Sequence, residues 1–234
     1  ALKRLAGASL PAGAPPALAR LRPAEPEDAV VIFFAGHGTA RGQRFYLLPH
    51  DFKTAPAAGA GFEGAISDQE LEAALEPLAA AQLAFVIDAC HSGQALDAAE
   101  KRRGPMNSKG LAQLAYEKGM YVLTAAQSHQ AALEAAELGH GFLTYALVEE
   151  GLRRGEADAP ATRDGSIVVR EWFDYATERV PQMQAGRLRQ ARGLELPVTF
   201  AADGDAQRPR VFYRREIDQR PLVVARVDLA RAKK

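Results

Sequence analysis

The sequence predicts an α/β fold built on a mainly parallel sheet that is covered on both faces, and three observations carry that prediction. Three short apolar runs recur along the chain: Val30 to Ala35, Ala84 to Ile87 and the segment MYVLTAAQ at 120–127. Continuous rather than alternating apolar character is what strands buried on both faces require. Helical patterns separate the runs, so the order is strand, helix, strand, helix, strand, and such crossovers are right-handed. The composition agrees. An apolar fraction of 47% supports a substantial core, and 29 basic against 29 acidic residues give no excess charge to attract a polyanion.

Residues 1–29 open with Ala1 to Ala6, which reads as the end of a helix. A Pro/Gly/Ala loop follows, with a helical turn at PALARL, before the first strand at Val30. GHGTARGQ, 36–43, reads as a turn, and RFYLLPHD, 44–51, as a strand ending at Pro49 and Asp51. Residues 52–65 are a Gly/Ala-rich loop. Ser67 and Glu70 form a capping-box pattern, with Leu71, Leu75 and Leu78 at helical spacing behind it and Pro77 bending or shortening the helix. The strand from Ala84 then breaks into small and polar residues around Cys90.

Residues 94–110 are polar and basic with a Gly-Pro, and read as an exposed linker. GLAQLAYEKG is a helix leading into the third strand. Residues 127–139 read as a loop with a little helix. GFLTYALVEEGLRRG, 141–155, is an amphipathic helix stopped by Gly155. An Asp-Gly turn at 164–165 precedes the strand SIVV, and REWFDYATERVPQMQ is a helix with Trp172, Phe173 and Ala176 on its apolar face. Two strand-like pieces, RVFYRR and PLVVARVDL, lie in the tail, where they pair as a hairpin or lie against a further part of the protein.

Chemistry concentrates at the ends of two of the strands. Cys90 is the only cysteine in the 234 residues, so no internal disulfide exists and a reducing, cytoplasmic compartment is favoured. A thiol at the carboxyl end of a buried strand sits where open α/β sheets place their chemistry. His37 is delivered in the same way by the first strand. A nucleophilic thiolate needs a neighbouring base or cation, and His is the usual one. The backbone N–H groups of Gly38 and Cys90 are the candidates for an oxyanion site. His37 then protonates the leaving amine and activates water. Asp88, two residues before Cys90, belongs to the same side of its strand. A partly buried carboxylate needs a cation or several donors, and a substrate Arg or Lys supplies the cation. The competing reading is that Asp88 bonds neighbouring loop backbone.

FFAGHG and DACHSGQ together resemble the His and Cys motifs of the caspase–metacaspase clan, its bacterial caspase-like members best. YLLPHD, ISDQEL and GHGFLTYAL extend the resemblance over roughly residues 25–180. The resemblance implies a protein-cleaving cysteine peptidase with His37 and Cys90 as its dyad, on a mainly parallel sheet with helices on both faces. Caspases carry Gln at the position of Asp88 and accept substrate Asp; metacaspases carry Asp there and accept Arg or Lys. By resemblance the expected substrate is therefore a protein cut after Arg or Lys. The metacaspase serine two residues before the His is Ala35 here, which departs from the substrate-binding pattern. Such a peptidase could also cut itself at Lys101, Arg102, Arg103 or Lys109, although a solvated basic loop explains those residues equally well. Some metacaspases bind calcium, and Asp51, Asp68 and Asp97 fall near the matching places, while Ser67 replaces one expected acidic residue. No cofactor is otherwise implied.

These expectations divide the chain into a peptidase core over 1–195 and a β-rich extension over 196–234. Within the core, a large-subunit part runs to about residue 97, a linker spans 98–110 and a small-subunit part spans 111–195. The family's usual first strand and helix are missing from this stretch, so a sheet edge is expected to be unpaired or completed by another chain. Bacterial members are often joined to sensor or repeat domains, which implies regulated proteolysis in signalling, defence or cell death. Two alternatives stay open: a catalytically silent interaction module, and a separase-like peptidase. No nucleic-acid motif, metal-ligand spacing or membrane-length apolar run is present. His91, next to Cys90, points its side chain elsewhere, so a shared zinc is not expected; His50, His129 and His140 read as loop or cap residues, and Trp172 as core packing.

Overall fold

The computed structural model describes residues 1–41, 44–52, 62–91, 109–125, 141–193, 209–214 and 221–227. Among them a six-stranded sheet forms the centre. Its three parallel strands are β1 (Ala29–Arg41), β4 (Gln82–His91) and β5 (Tyr121–Ala125). These are the three apolar runs of the sequence, and they pair in parallel, β1 with β4 and β4 with β5. Antiparallel strands flank them: β2 (Arg44–Leu48) and β3 (Ile66–Ser67) beyond β1, and β7 (Arg210–Phe212) beyond β5. The spatial order is β3-β2-β1-β4-β5-β7.

Helices cover both faces, as the continuous apolar runs require. On one face lie α2 (Asp68–Leu75) and α3 (Lys109–Glu117), with α1 (Leu2–Leu5) against the same cluster. Leu71, Leu75 and Leu114 meet Leu83, Phe85 and Ile87 of β4 there. The capping box at Ser67 and Glu70 is formed, with each residue bonding the other's backbone N–H. Helix α2 ends at Leu75, before Pro77. On the other face lie α4 (Phe142–Tyr145), a π-helix (Ala146–Arg153) and α5 (Val169–Gly193). Phe142, Leu147 and Phe173 from these helices bury Ala84 and Val86 of β4 and Leu123 of β5.

Four expectations needed correction. GHGTAR is strand rather than turn. Residues 37–41 of β1 pair antiparallel with β2, from His37 opposite Leu48 to Arg41 opposite Arg44. The glycines there serve close packing: a Cβ on Gly38 would lie 2.6 Å from the Phe45 ring. Likewise β4 runs on through Cys90 to His91, held in the β1 ladder. The amphipathic segment after Gly141 begins as α-helix but completes as π-helix, and it stops at Gly155, whose φ of +72° suits glycine alone. Finally, the two tail strands do not pair with each other. β7 joins β5, and β8 (Val223–Arg226) joins β6 (Ser166–Val168) in a two-stranded sheet. Both pairings connect segments distant in sequence, which local pattern cannot specify.

The ion pairs behind the π-helix tie it to α5. Arg179 donates from Nε and Nη2 to the two Glu150 carboxylate oxygens at 2.6 and 2.8 Å, and Tyr175 donates to Glu150 at 3.2 Å. Glu150 is only 4% exposed. The Arg179 hydrogen bonds hold the Glu150 carboxyl below its ordinary range, and the same pairing raises Arg179. Burial, with Glu156 and Glu150 beside it, pushes the Tyr175 hydroxyl up. The Trp172 indole N–H adds a bond to the Leu147 carbonyl at 2.9 Å.

Candidate active site

Parallel pairing brings the two motif ends together. In the β1–β4 ladder His37 is the partner of Cys90, and Ala35 is the partner of Asp88. Neighbouring strands lie about 4.8 Å apart, so these positions are adjacent across the ladder. Strand alternation puts positions 35, 37, 88 and 90 in one set, on the sheet face that α4, the π-helix and α5 cover farther along. His37 is exposed, as is Ala35. Gly38 pairs with His91 on one side and Leu47 on the other.

Asp88 is buried, at 5% exposure, at the end of the covered part of β4. Its Oδ2 accepts a hydrogen bond from the Thr144 hydroxyl at 2.7 Å. Thr144 stands on α4, between core residues Leu143 and Ala146. Neither reading of Asp88, a substrate cation or neighbouring loop backbone, named this side-chain partner 56 positions away. Thr144 lies within the GHGFLTYAL segment, yet no spacing rule connects it to the strand before Cys90.

The remaining candidates divide. Lys101, Arg102, Arg103 and Asp97 lie outside the described residues, as do His129 and His140. Lys109, expected in the exposed linker, is the first residue of α3. Asp51 is exposed in a turn after β2. Asp68 is buried in the first turn of α2, where Oδ1 accepts from Gln69 N at 2.9 Å and Oδ2 faces Phe45 N at 3.4 Å. That carboxylate fastens α2 to β2. Calcium wants six to eight oxygens including several carboxylates. Among the described residues no three His, Cys, Asp or Glu side chains gather as a metal site would need, Asp97 lies outside them, and calcium enters no step below. No described helix is long and apolar enough to cross a membrane.

Comparison with curated proteins found no match. Comparison with protein families did: the caspase domain matches residues 17–201, well over half of the 234-residue chain. The match spans β1 to β5, both helical layers and both motif ends. On that ground, and on a mixed sheet whose central strands run parallel between helices, the chain belongs to the caspase-domain family of cysteine-type peptidases.

Proposed function

We propose that this protein is a cysteine endopeptidase that cuts proteins after Arg or Lys through a dyad of Cys90 and His37. The observation that carries the proposal is the ladder register, His37 opposite Cys90 with Ala35 opposite Asp88 two positions back. In the proposed reaction the Cys90 thiolate attacks the scissile carbonyl carbon. His37 protonates the leaving amine as the C–N bond breaks, leaving a thioester on Cys90. His37 then takes a proton from water, which hydrolyses the thioester and frees the thiolate. The exposure of His37 suits a base that must meet water and an incoming peptide.

Asp88 is proposed to select the residue before the cleaved bond. A buried carboxylate set two positions back from the nucleophile rewards a substrate cation and repels a substrate carboxylate. Ala35 beside it is small enough to leave a long Arg or Lys side chain room. A peptidase of this preference would meet its own Lys101-Arg102-Arg103 run, so self-processing there belongs to the same proposal, as does a regulated role in bacterial signalling or defence. The rival reading, a silent interaction module, draws on the exposed Val31 and Phe33 of β1.

A panel of fluorogenic peptides ending in Arg, Lys or Asp decides between them. Cleavage after Arg and Lys is expected, falling at least about a thousandfold in Cys90→Ala and in His37→Ala. Preference for Asp would overturn the specificity, and no cleavage by the folded wild-type chain would favour the silent module.

A further inference from the structure

We infer that Thr144 is a positioning residue for the specificity carboxylate: it fixes the direction in which Asp88 presents its charge to a substrate cation. The inference rests on the proposed role of Asp88 and deepens it. The 2.7 Å bond from Thr144 Oγ1 to Asp88 Oδ2 joins a helix to β4, the strand that carries Cys90. A carboxylate on a strand can rotate about its χ2 torsion, which is broad and poorly fixed by sterics. A hydroxyl donor on one oxygen removes that freedom and helps to offset the cost of burying the charge.

The donor is itself held from behind. Thr144 lies between Leu143 and Ala146, both fully buried against Ala84, Val86 and Leu123. The π-helix that continues α4 is clamped to α5 by Glu150–Arg179 and by Trp172 on the Leu147 carbonyl. Departures from α-helical pitch of this kind are frequent beside functional sites. The arrangement therefore runs from α5 through the π-helix to Thr144, and from Thr144 to Asp88. Nothing in it requires Thr144 to touch substrate.

A positioning role separates from a merely structural one in kinetics. Thr144→Val keeps the shape of the side chain and removes the donor; Thr144→Ser keeps the donor. Both are compared with wild type in the full chain, on peptides ending in Arg and in its uncharged isostere citrulline. A hydrogen bond to a charged group corresponds to roughly a tenfold effect. Thr144→Val is therefore expected to raise KM for the Arg peptide about tenfold with kcat within about twofold, to leave the citrulline peptide unchanged, and to be rescued by Thr144→Ser. An unchanged KM for Arg, or an equal fall for Arg and citrulline, would overturn the inference while leaving the role of Asp88 standing. Failure of that role reads differently: wild type would not distinguish Arg from citrulline, or Asp88→Asn would keep the distinction, and the inference would fall with it.

Discussion

Strands β1 and β4 run side by side for ten residue pairs, and each delivers one of the two motif residues, yet they are held in different ways. Every residue of β4 from Leu83 to Ala89 is buried. It meets α2 and α3 on one face and α4, the π-helix and α5 on the other. Among the described residues β1 is covered on one face only: Val30, Ile32 and Phe34 pack toward α2, while Val31 is 49% and Phe33 40% exposed. Its edge is half open too, because β2 pairs only from His37 onward, and among the described residues Ala29 to Gly36 have β4 as their single strand neighbour. So Cys90 sits on a strand positioned by packing from both sides. His37 sits on a strand positioned by hydrogen-bond ladders, at the point where β2 joins as second neighbour. The difference teaches that the place of the proposed nucleophile is set by the core, and that of the proposed base by the hairpin.

The sharpest way to break this contrast is to truncate one phenylalanine on each strand. Phe85→Ala, in β4, is expected to cost about 3–5 kcal/mol, measured by denaturant unfolding. Phe33→Ala, in β1, is expected to cost about 1 kcal/mol. Equal costs would mean that β1 is covered as fully as β4. A smaller effect sharpens the account of the covered face. The folded-state pKa of Glu150 is depressed by Arg179, so the stabilisation it brings is complete above its unfolded value, about 4.3, and is lost as pH falls through the folded value. Thermal unfolding between pH 6 and pH 3 should therefore show an acid loss of about 1–3 kcal/mol in wild type. Glu150→Gln, which cannot titrate, should lack that part of the pH dependence. Identical pH profiles would remove the clamp from the account.

Most of this fold was legible because its signals are local. Val30 to Ala35, Ala84 to Ile87 and the strand at Tyr121 announce themselves by continuous apolar character. The Ser67–Glu70 cap and the stop at Gly155 are each written within a few residues. What stayed hidden depends on partners far away in sequence. GHGTAR looks like a turn until β2 is seen to pair with it, and the close approach of the Phe45 ring to Gly38 has no local signal in the sequence. The tail strands find β5 and β6 rather than each other. The candidate site divides in the same way. His37 and Cys90 were legible as two strand ends 53 residues apart, and the ladder puts them in register. Asp88 was legible as a carboxylate two positions before Cys90, but Thr144, which donates a hydrogen bond to it, was not.

The central claim, that His37 and Cys90 act together, is tested most directly by the rate at which iodoacetamide alkylates the protein across pH. Cys90 is the only cysteine, so the reading is unambiguous. An ordinary thiol titrates near pH 8.5, whereas a His-paired one ionises well below that. The expected result is rapid alkylation that persists below pH 7 in wild type and shifts to the ordinary thiol profile in His37→Ala. An ordinary profile in wild type, unchanged by His37→Ala, would contradict the account.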